Sequence, residues 1–180
     1  MKDKDLTESQ LNINEIYHGH AVNFRVDDIV LPVTEDLAKR EFMDHPGAVA
    51  VLPVLPNGDL ILVKQFRYPI NQVTLEIPAG KLHRGKDNIL ARAKAELKEE
   101  TGYTAGRLIK VTSMWPSPAY SNEVIHIFIA RELKAGIATP DEGEFVRVVQ
   151  VPYWEARRMI NAGKIRDAKT IIAIMGWGLK

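Results

Sequence analysis

The sequence has no cysteine, an absence that excludes disulfides, thiolate-held zinc and thiol nucleophiles together. It also lacks an excess of either charge, since 24 lysine and arginine residues face 23 acidic ones for a formal net charge of +1. A chain so balanced has no broad positive field for nucleic acid or an anionic membrane surface, so partners must be recognised at local sites. Long apolar runs are missing as well. The longest, around Ala48 to Leu55 and Thr170 to Trp177, fall far short of the ~20 residues a membrane-spanning helix needs. The opening segment MKDKDLTESQ is charged and has none of the apolar stretch of a secretory signal. These absences predict a soluble protein of the reducing cytoplasm, with no nucleic acid and no membrane among its partners.

The chain has 180 residues, 46% of them hydrophobic and 26% charged, enough to bury a core in one domain or one domain with a small appendage. No repeat or low-complexity tract interrupts it. Ile13 to Leu31 alternates loosely between apolar and polar positions and predicts one or two strands ahead of the first strong turn signal, a candidate N-terminal sheet. From Gly47 the pattern sharpens. AVAVLPVL and LILVKQFR flank Asn57 and Gly58, which is a hairpin signal. Thr74 to Ile77 predicts a short strand that Pro78, Ala79 and Gly80 break. Asn88 to Thr101 then switches to helical period, with Ile89, Leu90, Ala93 and Leu97 on one face, Asp87 or Asn88 as cap and Gly102 as stop. Further strands are expected at Leu108 to Met114, Val124 to Ala130 and Glu144 to Val151, and helices at Tyr153 to Asn161 and Asp167 to Met175. Strands on both sides of one central helix, with helices at the end, predict a mixed sheet covered by helices.

The central helix carries the chemistry. Residues three and four apart share a helix face, so Glu96, Glu99 and Glu100 present their carboxylates to one side while the apolar face opposite is buried. A Glu-rich helix end is most often a solvated face, with Lys94 and Lys98 as surface partners. The glycine-containing turn before this helix and Thr101, Gly102 and Tyr103 after it favour the other use. Carboxylates so spaced suit Mg²⁺ or Mn²⁺, hard cations that take oxygen ligands and share them with phosphate groups.

The run GKLHRGKDNILARAKAELKEETGY resembles the Nudix box, matching its second half through Glu96, Leu97, Glu99, Glu100, Gly102 and Tyr103. Outside the box, His45-Pro46-Gly47-Ala48-Val49, Glu76-Ile77-Pro78-Ala79-Gly80, Ser117-Pro118, Asp141 to Glu144 and Asp167-Ala168-Lys169-Thr170 look like the ADP-ribose pyrophosphatase branch. The resemblance departs from the pattern within the box. One extra residue precedes Glu96, the pattern's first glutamate falls at Lys86 or Asp87, and its arginine falls at Ala95. In the family that arginine orients the carboxylates, and Lys94 or Lys98 could replace it only in part, lacking the bidentate fork.

The resemblance implies an α/β (α+β) fold, a Nudix-type α/β/α sandwich with a mixed sheet plus an N-terminal β-sheet segment. Residues 1–44 would form that segment and pair two subunits into a homodimer, and residues 45–180 would form the hydrolase domain. It further implies Mg²⁺-dependent hydrolysis of the pyrophosphate bond of ADP-ribose or a related nucleoside diphosphate sugar. Metal ligands by this resemblance are Glu96, Glu100, the carbonyl of Ala79, and Glu99 directly or through water. Glu144 is the first candidate for the general base and Glu142 the next, in a polar loop that could equally be solvated. Arg67 and Glu76 are placed as substrate contacts, with Arg67 alternatively an edge-strand charge. Tyr120, like Trp115, flanks the Ser117-Pro118 turn and either stacks a base or packs in the core or at its rim. The five histidines show no metal-ligand spacing, and His83, inside the box loop, is the one of interest.

Overall fold

The computed structural model describes residues 3–83, 85 and 88–178. They form two compact units, residues 1–46 with 117–123 and residues 47–116 with 124–180.

The first unit is an antiparallel sheet of β1 (Ser9–His18), β2 (Asn23–Val30) and β3 (Leu37–Asp44), in that order. Every residue of β1 is exposed, whereas β2 buries Asp27 and Ile29. The sequence pattern reaches β1 and β2 but gives no sign of β3, whose LAKREFMD run has no apolar alternation. The 117–123 loop is tied to the end of β3 through Met43 N–H to Tyr120 O at 2.8 Å and Asn122 Nδ2 to Asp44 Oδ1 at 2.8 Å.

The second unit contains two sheets. β4 (Ala48–Pro53), β7 (Ala79–Lys81), β8 (Thr104–Met114) and β9 (Ile125–Lys134) make a mixed sheet in the order β7-β4-β9-β8, with β4 and β9 parallel. β5 (Leu60–Arg67), β6 (Gln72–Glu76) and β10 (Val146–Val151) make an antiparallel sheet in the order β10-β5-β6. Helices α1 (Ile89–Thr101), α2 (Tyr153–Asn161) and α3 (Ala168–Trp177) complete the unit. No helix among the described residues is long and apolar enough to cross a membrane.

The two-residue period of β4 explains the layers. Val49 and Val51 pack with Phe128 and Ala130 of β9 against Ala93 and Leu97 of α1. Ala50 and Leu52 face the other way, with Ile127, Ile129, Leu60, Leu62 and the Ala173 and Ile174 side of α3. A strand buried on both faces belongs inside a sheet between helical layers, which is the expected α/β/α arrangement.

Two local expectations are corrected. Asn57 and Gly58 do turn the chain, with Gly58 at φ 87° and its N–H bonded to Leu55 O at 2.9 Å. Yet β4 and β5 are not a hairpin. Ladder pairing is limited to the Val54–Leu60 bridge just past β4, beside a bond from Leu55 N–H to Asp59 O at 2.8 Å, and the strands then enter different sheets, because β4 takes its long partner from β9. The break after β6 is real, since that strand ends at Glu76, but Ala79 and Gly80, expected within the break, form β7 with Lys81 along Ala48 to Ala50 of the other sheet.

Candidate active site

Helix α1 begins and ends where local chemistry places it. Asn88 Oδ1 accepts from the N–H groups of Leu90 and Ala91 at 3.0 and 3.1 Å, and Gly102 stops the helix in the left-handed region at φ 77°. Ala93 and Leu97 anchor it to the mixed sheet, while Leu90, expected on that face, is exposed. This anchoring turns Glu96 and Glu100 toward β7. Both are buried, at 4% and 2% exposure, so the acidic face is not a solvated one. Glu99 is half-buried beside them.

Strand β7 supplies the opposite wall. A Cβ on Gly80 would overlap the Glu96 carboxylate, so any larger residue there would displace that carboxylate. The neighbouring Ala79 N–H lies 3.4 Å from Glu100 Oε1. Burial, joined by the charges of Glu144 and Glu96, pushes Glu100 up to about 8. Burial likewise raises Glu96 to about 7, against the pull of Arg92 and with the help of Glu99, Glu144 and Asp141. Glu144 and Asp141 are thus near enough for their charges to act on the acidic helix face. Glu144 is half-buried, accepts from Gln65 Nε2 at 3.3 Å and closes the turn from Asp141 O through its own N–H at 3.0 Å. Glu142 is exposed in the same turn.

A guanidinium that sequence reasoning missed reaches the carboxylates. Arg92 pairs with Glu96 and lies 3.5 Å from Glu99 Oε2. Lys94 and Lys98, the expected stand-ins for the arginine missing at Ala95, are both exposed. The signal was present as spacings of four and seven from Arg92 to the two glutamates, which put all three on one face. Lys86 and Asp87, where the box pattern puts its first glutamate, lie outside the described residues.

Glu76, Arg67 and the start of α3 form a second cluster. Arg67 Nε and one terminal nitrogen donate to the two Glu76 oxygens at 2.9 and 2.8 Å, a bidentate pair. Lys169 also pairs with Glu76 and donates to Asp167 Oδ1 at 2.9 Å, and Thr74 donates to Glu76 Oε1 at 2.5 Å. Burial alone would raise Glu76, but Arg67, Lys169 and Thr74 bring it to about 2. Asp167 caps α3 by accepting from Thr170 N–H at 3.0 Å, and the buried Thr170 hydroxyl accepts from Ile77 N–H at 2.8 Å. The Asp167 to Thr170 segment thus fastens α3 to the end of β6 as well as capping it. Arg67 keeps 41% of its side chain exposed, Glu76 only 3%.

Tyr120 belongs to the first unit, where it lines a hollow with Phe24, Phe42 and Met43. It is 55% exposed, and Trp115 is 66% exposed, so neither is a core residue. His45 lies 3.5 Å from Glu123, and His126 bonds the Ser113 hydroxyl at 2.8 Å.

As the side chains lie, no three His, Asp or Glu groups among the described residues converge on one point. Glu96 is turned to Arg92, and Glu100 to the Ala79 N–H. However, Glu100 Oε2 is buried and makes no hydrogen bond among the described residues, while the buried Glu96 Oε1 meets the Arg92 guanidinium; an unpartnered buried carboxylate oxygen is costly and is relieved by a cation. A donor set made of carboxylate oxygens alone fits a hard ion.

A glycine-edged strand packed on a helix of buried glutamates, between the layers of an α/β/α sandwich, defines a class. Residues 44–173 match the family model described as NUDIX domain, and the chain belongs to that family. It is 41% identical over 179 residues to the ADP-ribose pyrophosphatase of Bacillus subtilis (strain 168), covering 98% of this chain and 96% of that protein. It is also 38% identical over 169 residues to the methanol dehydrogenase activator of Bacillus methanolicus, covering 93% and 90%. Among solved structures, that of an ADP compounds hydrolase superposes with a TM-score of 0.82 at 19% identity, over 96% of this chain and 92% of that one, a likeness of fold.

Proposed function

We infer that this chain hydrolyses the pyrophosphate bond of ADP-ribose, or of a related nucleoside diphosphate sugar, to a mononucleotide and a sugar phosphate. The observation that carries this reading is the buried pair Glu96 and Glu100 against the Ala79-Gly80 backbone. The near end-to-end similarity to an ADP-ribose pyrophosphatase supports the substrate class.

Glu96, Glu99, Glu100 and the Ala79 carbonyl would hold Mg²⁺, or Mn²⁺ in its place. Such a cation, when bound, neutralises the charge of the pyrophosphate and makes water more acidic. The chain's own residues do the rest. Glu144, whose charge acts on the helix glutamates, takes the proton of the water whose oxygen bonds to one phosphorus, as the bond from that phosphorus to the bridging oxygen breaks. The bridging oxygen leaves on the other phosphate. Glu142, exposed in the turn, is the next candidate for this role. Arg67 keeps enough exposure to meet a phosphate or a base, held in direction by Glu76. Tyr120 would contribute an aromatic face to the nucleotide.

Residues 1–44 would serve as a dimerisation segment and residues 45–180 as the catalytic domain of a cytoplasmic homodimer. The exposure of Leu11, Ile13, Ile16 and Tyr17 along β1 supports a partner for that strand. A second reading is a nucleotide-binding or regulatory module with weak turnover. It is favoured by the similarity to a protein named as an enzyme activator and by the absence of arginine at position 95.

A substrate panel separates the two. Purified protein is incubated with ADP-ribose and other nucleoside diphosphate sugars, with Mg²⁺ or with EDTA, and products are resolved by chromatography. Metal-dependent release of AMP from ADP-ribose is expected. Tight binding without product favours the module, and neither binding nor product with any nucleotide sinks both readings.

A further inference from the structure

We propose that Arg92 is the positioning residue of the acidic centre, supplying from one helical turn upstream the guanidinium that position 95 lacks. The proposal rests on the reading of this site as a metal-assisted pyrophosphohydrolase.

Arg92 precedes Glu96 by four residues and Glu99 by seven, so one side chain runs along the face that bears both carboxylates. It pairs with Glu96 through one terminal nitrogen, while the other lies 3.5 Å from Glu99 Oε2. A planar fork can bridge two carboxylates in this way; the single ammonium of lysine is a point charge and cannot fix both directions. The pair is also shielded, with 22% of the Arg92 side chain and 6% of the Glu96 side chain exposed, so the attraction is weakly screened.

Helix energetics argue against Arg92 as a mere helix stabiliser. It stands in the first turn of α1, where the dipole favours acids and disfavours cations, and that turn contains no acid. Arg92 is therefore in a position that costs the helix and benefits the glutamates one and two turns later. Its Nε is buried without a hydrogen bond among the described residues, and the two terminal nitrogens are the ones directed at Glu96 and Glu99. The Glu96 carboxylate occupies the space that a side chain at Gly80 would fill, and Arg92 holds it there from the helix. Ala95 offers nothing to either glutamate, and Lys94 and Lys98 are exposed.

The test measures two quantities in Arg92→Ala, Arg92→Lys, the double variant Arg92→Ala with Ala95→Arg, and Lys94→Ala as control. One is kcat and KM for ADP-ribose; the other is Mn²⁺ affinity without substrate, by calorimetric titration. In Arg92→Ala, kcat and Mn²⁺ affinity should each fall roughly 10- to 100-fold, with KM nearly unchanged. Arg92→Lys should recover only part of both, and arginine at position 95, four residues before Glu99, should recover more than lysine at 92. Wild-type kcat and Mn²⁺ affinity in Arg92→Ala, or an equal loss in Lys94→Ala, would overturn the proposal. If Arg92→Ala does not fold by circular dichroism, Arg92→Lys decides: partial loss of both quantities sustains the proposal and wild-type values overturn it. If the wild-type protein hydrolyses no nucleotide, the functional reading falls, and the Mn²⁺ titrations still decide the role of Arg92.

Discussion

Gly80 of β7 lies so close to Glu96 of α1 that a Cβ at position 80 would overlap the Glu96 carboxylate. Gly80 does not have a positive φ, so what glycine provides here is room for the carboxylate and not a backbone conformation. Gly80→Ala should therefore push Glu96 from its place while leaving the sheet paired. Displacement of a catalytic group by about 1 Å costs on the order of 100-fold in rate, and a kcat loss of that size is expected. Steady-state kinetics beside a circular dichroism spectrum will check it.

Glu76 should matter to stability before it matters to chemistry. It is 2% exposed and accepts from Arg67, Thr74 and Lys169. Glu76→Gln leaves Lys169 with Asp167 alone and breaks the bidentate pair, and the expected loss is about 3 kcal/mol, the lower part of the range for a buried pair because Arg67 is partly exposed. Urea denaturation measures it directly. Because Glu76 is held at about 2, below the ordinary carboxylate value of 4.5, its stabilisation is present above pH 4.5 and is lost as pH falls toward 2.

The acidic pair has the opposite pH dependence. Glu96 and Glu100 are raised to about 7 and about 8 from 4.5, so the folded protein binds more protons than the unfolded one between those limits. Stability of the metal-free protein should fall as pH rises from 6.5 to 8.5. His126, lowered by burial and Lys110, acts oppositely only below the ordinary histidine value of 6.5. Melting temperatures in EDTA and in Mg²⁺ at pH 6.5, 7.5 and 8.5 should show the metal-free values declining and the Mg²⁺ increment growing. A flat EDTA series would contradict the burial of these two carboxylates.

Glu144 and Glu142 are separated by the same substitution. Glu144→Gln should lower kcat by about 10²- to 10⁴-fold, the usual contribution of a general base, and Glu142→Gln should stay near wild type. The reverse order would move the base to the exposed residue of the turn.

Much of this was legible in the sequence because the signals are local. Asn88 and Gly102 fix the ends of α1, Asp167 caps α3, and the spacing of Glu96, Glu99 and Glu100 gives the acidic face without any tertiary information. Whether that face is buried is not local, because it depends on β7, whose three residues read as a break after Pro78. The same limit explains β4 and β5. Their turn is real, but the partner of β4 lies some 77 residues away, as the pairing of Ala48 with Ile125 shows, and no local pattern names it. Strand β3 is half-exposed and polar, so it carries no hydrophobic period. Arg92 was visible as a spacing, yet many charges on a helix share such spacings, and only the burial of Glu96 distinguishes this one.

The most direct test of the account is ADP-ribose turnover in Glu100→Gln beside the wild type, with Mg²⁺ present and substrate binding measured separately. Glutamine keeps the shape of the buried side chain and removes its charge. The account predicts metal-dependent AMP formation by the wild type, and its collapse in Glu100→Gln while the protein stays folded and still binds nucleotide. Undiminished AMP formation in Glu100→Gln would contradict it.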